Sequence, residues 1–223
     1  MIVLFGAAAL AGALGGCATM AGGGAPMDFR VAKVDDGRCS GHCPDVIAAR
    51  GQIGVDTADR FVAFLKDASA DKALRDVVLI DSPGGKVVGA MRLGMAFRKL
   101  GAAVVVARVA GGGTDAVAGP GLCMSACAYA FMGGVKRVVP SHSLVGIHRM
   151  SRVEYEAGGS AGAAVVAQRV YATPDMVAAL TSYARSMGVG EGLVKLAETV
   201  PPANIHIVTP DEERRWRLAT SKF

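Results

Sequence analysis

Val77-Val78-Leu79-Ile80 is an apolar run with no polar position, so a strand made from it must be buried on both faces. Asp81-Ser82-Pro83-Gly84-Gly85 ends the run. Lys86 to Leu100 follows, with Val87, Val88, Met91, Met95 and Ala96 on one helical face. Ala103 to Ala107 (AVVVA) is a second run of the same kind. Two doubly buried strands joined through an amphipathic helix form a strand–helix–strand unit, with a right-handed crossover expected. The chain is therefore read as α/β, with strands buried between helices.

The remaining segments fit that reading. Val46 to Ile53 (VIAARGQI) reads as a first strand, and Asp56 or Thr57 caps a helix carrying Phe61, Val62, Phe64 and Leu65. Ala110 to Gly121 is a glycine-rich loop, and Ala126 to Met132 a helix stopped by Gly133-Gly134. Val135 to Val139 and Ser143 to His148 read as short strands. Glu154 to Ala164 reads as a second glycine-rich stretch. Thr173-Pro174 opens a helix that runs to about Met187. Asn204 to Val208 reads as a last strand, and Thr209-Pro210-Asp211-Glu212 as a capping box opening the terminal helix.

Apolar residues make up 52% of the 223, and aromatics 5%, which excludes a disordered chain and supports closely packed helices and strands. The net charge of +5 comes from 24 basic and 19 acidic residues. The basic residues are scattered except for Arg214, Arg215 and Arg217. That cluster reads as a solvated helix face, and no nucleic-acid partner is expected.

The N-terminus reads as an export signal. Residues 1–16 are uncharged and mostly apolar or small, too short and Gly-rich for a membrane span. Leu14-Gly15-Gly16-Cys17 resembles a bacterial lipoprotein cleavage box. The resemblance implies lipidation of Cys17, and Ala18 after it implies outer-membrane sorting. No Lys or Arg precedes the apolar run. The expected organisation is a lipoprotein-type signal at 1–16, a tether at 17–30 and one domain at 31–223, periplasmic and anchored through Cys17. The other cysteines, Cys39, Cys43, Cys123 and Cys127, form an even set, and in an exported chain they read as disulfides. Three connectivities are open. A bridge from Cys123 or Cys127 to the Cys39/Cys43 segment would staple that loop beside Ser125. The two C-x3-C pairs have atypical spacing for zinc, and no metal or cofactor is expected.

Three elements carry chemistry. Gly84-Gly85 lies between a strand and a helix, where a backbone N–H can point outward. Ser125 sits between Cys123-Met124 and Ala126-Cys127 in a small-residue turn opening a helix. His148 ends the apolar strand Leu144-Val145-Gly146-Ile147. A serine, backbone donors for an oxyanion and an imidazole are the parts needed for serine-based acyl transfer. Each also has a structural reading: a turn, a helix cap and a hydrogen-bonded histidine. His42, His142 and His206 are the other histidines.

Ile80-Asp81-Ser82-Pro83-Gly84-Gly85, Ser125 in its turn and Gly146-Ile147-His148, in that order, resemble the proteolytic subunit of Clp protease. They resemble more closely its exported bacterial relatives, whose pattern is C-x-S-A-C at the serine and G-x-H at the histidine. The resemblance covers roughly residues 46–218. It implies a ClpP/crotonase-like fold of strand–helix units around a parallel sheet. It makes Ser125 the nucleophile, His148 the general base, and the N–H groups of Gly85 and Ala126 the oxyanion hole. Alignment on Pro210 puts Asn204 where the family carries an acid, giving a Ser-His-Asn site or a Ser-His dyad. The extra length in residues 110–121 would serve as a lid or substrate-binding edge. The resemblance further implies a peptide or protein substrate and a homo-oligomer. Two alternatives accompany it. One is a non-catalytic envelope protein that keeps the fold for binding or assembly, the other a crotonase-type enzyme acting on acyl thioesters.

Overall fold

The computed structural model describes residues 24–34, 45–68, 74–110, 117–156 and 166–220. Cys17, Cys39, Cys43, His42 and the expected signal lie outside the described residues.

The first strands and helices are β1 (Asp28–Lys33), β2 (Asp45–Arg50), α1 (Thr57–Ala68), β3 (Leu74–Asp81), α2 (Val87–Leu100) and β4 (Ala103–Ala110). Next come β5 (Val117–Pro120), β6 (Leu122–Met124), α3 (Cys127–Met132), β7 (Lys136–Val138) and β8 (Leu144–Ile147). The C-terminal part holds β9 (Ser151–Glu156), β10 (Val166–Tyr171), α4 (Pro174–Ser186), α5 (Gly192–Thr199), β11 (His206–Ile207) and α6 (Pro210–Arg215).

Among the described residues the main sheet runs β1-β2-β3-β4-β5, with β7 also on β4. Its centre, β2-β3-β4-β7, is parallel, and β1 and β5 add antiparallel at the edges. A second sheet, β11-β8-β6, places β6 and β8 parallel. An isolated bridge between Ser82 and Cys123 joins the two sheets. β9 and β10 form a separate antiparallel pair.

The buried runs behave as their composition requires. Val78, Ile80, Val104 and Val106 share one cluster with Leu93 and Phe97, while Leu79 and Val105 enter a second with Val46 and Val138. Both faces of β3 and β4 are thus covered. Phe97 meets Phe61 edge-on at 5.0 Å between centroids, and Phe29 reaches Phe61 at 5.1 Å. Burying each such side chain contributes about 1.5–3 kcal/mol. Thr57 Oγ1 accepts from the Gly54 N–H at the start of α1. Thr173 caps α4, and the Thr209–Glu212 capping box opens α6.

Three expectations are corrected. Residues 26–30, expected within a tether, belong to the fold: Met27 is fully buried, Pro26 bridges to Gln52, and β1 begins at Asp28. The loop expected at 110–121 contains β5, because β4 runs on to Ala110 and offers an edge that Val117–Pro120 pairs with. The stretch expected from Glu154 begins inside β9, which pairs Glu154 with Gln168. α5 adds a helix that the sequence reading passes over. Among the described residues no helix is long and apolar enough to cross a membrane.

Candidate active site

Ser125 leaves the end of β6 with φ 56, a left-handed conformation rarely adopted by a serine. Three contacts hold it there. Its N–H donates to the Gly146 carbonyl of β8 at 2.7 Å, its carbonyl accepts from Ala128 N–H at 3.1 Å, and the Cys123–Cys127 disulfide closes across it. Both cysteines are fully buried, whereas Ser125 is only partly covered. The pairing lies within one C-x3-C, one of the three connectivities the sequence leaves open, and leaves no bridge from Cys123 or Cys127 to the Cys39/Cys43 segment. The Cα atoms of 123 and 127 stand 5.1 Å apart, a separation one helical start produces by itself and a disulfide spans.

The glycine pair meets this turn from β3. Gly84 has φ +100 and Gly85 φ +140. A Cβ on Gly84 would lie 2.5 Å from the Met124 carbonyl oxygen, 3.0 Å from Ser125 Cβ and 3.1 Å from Ala126 N. Only glycine lets the two backbones approach so closely. Ser82 anchors the approach. Its N–H donates to the Leu122 carbonyl, its carbonyl accepts from Met124 N–H, and its buried hydroxyl accepts from Gly84 N–H at 3.1 Å. The Gly84 carbonyl accepts from Ile53 N–H, and the Ile53 carbonyl from Lys86 N–H. Gly85 N–H lies between those two bonds. Among the described residues neither it nor Ala126 N–H donates to any acceptor. Two unengaged N–H groups beside a strained serine are what an oxyanion requires.

A cleft of about 580 Å³ opens beside Gly85, lined also by Gln52, Ile53, Asp56, Arg60 and Lys86. That volume suits a small ligand or a short peptide segment. Ser125 is not on its wall. Two cations and one carboxylate face it.

His148 follows the end of β8, and Met124 and Gly146 are paired across β6 and β8. The serine and the histidine therefore leave neighbouring parallel strands at the same end, where strands stand about 4.8 Å apart. The His148 Nδ1 lies 2.9 Å from the Arg149 carbonyl oxygen. A carbonyl only accepts, so Nδ1 carries the proton and Nε2 is left as the basic nitrogen. No hydrogen bond links Ser125 Oγ to His148 among the described residues.

Asn204 makes no hydrogen bond to the histidine among the described residues, although β11 pairs antiparallel with β8 just beyond it. Asn204 is exposed, its N–H donates to the Pro201 carbonyl at 2.9 Å in a turn, and its side chain makes no hydrogen bond among the described residues. The Arg149 carbonyl occupies the Nδ1 position instead. The other described histidines are accounted for structurally. His206 Nε2 pairs with Glu212 Oε2 at 2.9 Å, and His142 lies in an exposed turn with φ 67.

One residue near the site escaped the sequence reading. Glu198, on α5, accepts from Met150 N–H through Oε1 at 3.3 Å and lies 3.4 Å from Arg149 Nε through Oε2. A lone glutamate on an amphipathic helix carries no signal for this. Burial first, and the Glu198 carboxylate second, push the hydroxyl of Tyr129 on α3 up. Glu198 is thus tied to the segment that follows His148.

No protein-family model matches the chain. No curated protein matches it either. Solved structures do. A mutant of "1510-N membrane-bound stomatin-specific protease" aligns at 18% identity over 80% of this chain and 77% of that one, with a TM-score of 0.50. A second mutant of that protease, in complex with a substrate peptide, aligns at 18% identity over 80% and 73%, with a TM-score of 0.49. With the parallel core described above, the first of these likenesses identifies the architecture: the chain has an α/β, ClpP/crotonase-like fold.

Proposed function

We propose that this chain is a serine hydrolase acting on peptide bonds. Ser125 attacks the carbonyl, and the Nε2 of His148 takes its proton. The N–H groups of Gly85 and Ala126 hold the oxyanion; its collapse breaks the C–N bond, the amine leaves with the proton from Nε2, and water then hydrolyses the acyl ester on Ser125. The observation that carries this reading is the left-handed Ser125 turn packed on Gly84, with two unengaged backbone donors beside it. The aligned structure is that of a protease, which agrees with it. The proposal requires the Ser125–His148 hydrogen bond to form when substrate binds, and such bonds are often long before then. The site operates as a dyad, with Asn204 a spectator. Export, and anchoring through Cys17, belong to the same proposal and rest on the Leu14–Cys17 box.

A fluorophosphonate probe tests the reading. Wild-type protein is expected to label at Ser125, and Ser125→Ala and His148→Ala to lose the label. Equal labelling of all three overturns it. The open Ser125–His148 contact favours a second reading, an envelope protein that keeps the fold for binding alone, and that result would support it.

A further inference from the structure

Residues 148–150 belong to no strand, yet they present the one carbonyl that holds the His148 ring. Something must fix that carbonyl, or the imidazole would sample both tautomers. Several ties converge on the segment. Arg149 N–H donates to the Val200 carbonyl at 2.9 Å, just past the end of α5. Met150 N–H donates to Glu198 Oε1, and the Met150 carbonyl accepts from Ala172 N–H at 3.2 Å. The Arg149 guanidinium lies over the Tyr171 ring at 4.3 Å. It faces Glu198 Oε2 at 3.4 Å with its Nε unaligned, so that contact is an ion pair and not a hydrogen bond. Glu198 is therefore tied to both flanks of the Arg149 carbonyl: to the side chain of residue 149 and to the N–H of residue 150. Its side chain is 15% exposed, so water competes weakly for it.

We propose that Glu198 is the positioning residue of the site, its carboxylate clamping the Arg149–Met150 backbone so that the Arg149 carbonyl holds the His148 ring with Nε2 toward Ser125. This rests on the hydrolase reading for its consequence, but the clamp itself is a property of the resting protein. It explains how a site whose aligned acid is Asn204 can orient its histidine. The carboxylate acts at one remove, through a peptide group, rather than on the imidazole. Glu198 touches no reacting atom and is not a catalytic residue.

The test uses full-length protein and nitrogen-15 NMR of the imidazoles, with His148 assigned by comparison with His148→Gln. Wild type is expected to show one tautomer, protonated at Nδ1. Glu198→Gln keeps an oxygen for Met150 N–H and is expected to keep that tautomer. Glu198→Ala is expected to mix the tautomers and to slow fluorophosphonate labelling about 10-fold or more, a part of what a general base supplies. An unchanged tautomer in Glu198→Ala overturns the proposal. Hydrogen exchange of the Met150 amide in unmodified protein gives a second reading that needs no variant: protection supports the clamp, and exchange at an open-chain rate overturns it. Neither measurement requires turnover. A protein that fails to label but shows the clamp would remove the hydrolase reading and leave the clamp standing.

Discussion

Arg98 and Arg137 donate to the same three backbone carbonyls, those of Met132, Gly134 and Met187. Two guanidiniums converge there on carbonyl oxygens left open at the ends of α3 and α4, where the helix dipole favours positive charge. Arg137 also donates to the Leu218 and Arg217 carbonyls, tying the end of the chain to β7. Burial first, then the charges of Arg98 and Arg217, push its guanidinium down to about 10, so it remains charged at neutral pH. Arg137→Lys replaces a planar fork by a point charge that cannot reach these acceptors. A loss of roughly 2–4 kcal/mol is expected in urea denaturation, and a loss below 0.5 kcal/mol, roughly the effect of a surface substitution, would refute the account.

Gly84→Ala tests the contact between the glycine turn and the nucleophile. The added methyl meets the Met124 carbonyl at 2.5 Å in a conformation that disfavours any side chain. The turn must withdraw, carrying Gly85 N–H away from Ser125. Loss of fluorophosphonate labelling by 10²-fold or more is expected, the scale for one misplaced oxyanion donor. Labelling at the wild-type rate would show that this turn plays no part in holding the oxyanion.

The Cys123–Cys127 bridge closes a very short loop, so its effect on the unfolded chain is small, about 2 kcal/mol. The double variant Cys123→Ala/Cys127→Ala is expected to lose about that much stability, read from its urea midpoint. Both sulfurs are fully buried. Under native conditions a thiol reductant followed by alkylation is expected to leave the Ser125 peptide unmodified, and after denaturation to modify it twice. Rapid native alkylation would contradict the burial.

Glu213 on α6 gives a pH dependence with a defined sign. Burial pushes its carboxyl up to about 7, against the opposing pull of Arg214. The folded protein therefore binds the proton more tightly than the unfolded chain, whose glutamates titrate at about 4.3. The neutral form contributes stability below that value, and the contribution is lost as pH rises through 7. Glu213→Gln should match wild type at pH 4 and exceed it at pH 8.5 by roughly 1–3 kcal/mol. The same difference at both pH values would contradict the assignment.

The sequence displayed its doubly buried strands openly. Val77–Ile80 and Ala103–Ala107 could belong only to a covered sheet, and the Pro-opened helices α4 and α6 carry their own capping side chains. β1, β5 and β9 were hidden because each is an edge strand or hairpin, mostly exposed, whose pairing is decided by the partner it meets. Arg137 sits beside Lys136 in a short strand, and nothing local says that carbonyls from three separate segments will surround it. The site divides in the same way. Gly85 and His148 lie just past strands the sequence marks clearly, whereas Ser125 follows β6, a three-residue strand that the sequence reading does not contain. Which group meets Nδ1 of His148 depends on how α5 docks, and α5 left no mark beyond its apolar face.

A bond that joins residues 123 and 127 has one further effect on how the molecule can fail. Ser125 lies within a covalent ring, so a cut at any peptide bond inside it leaves the polypeptide in one piece. Self-cleavage at the nucleophile's own loop would be invisible on a non-reducing gel, and would appear as two fragments only after reduction.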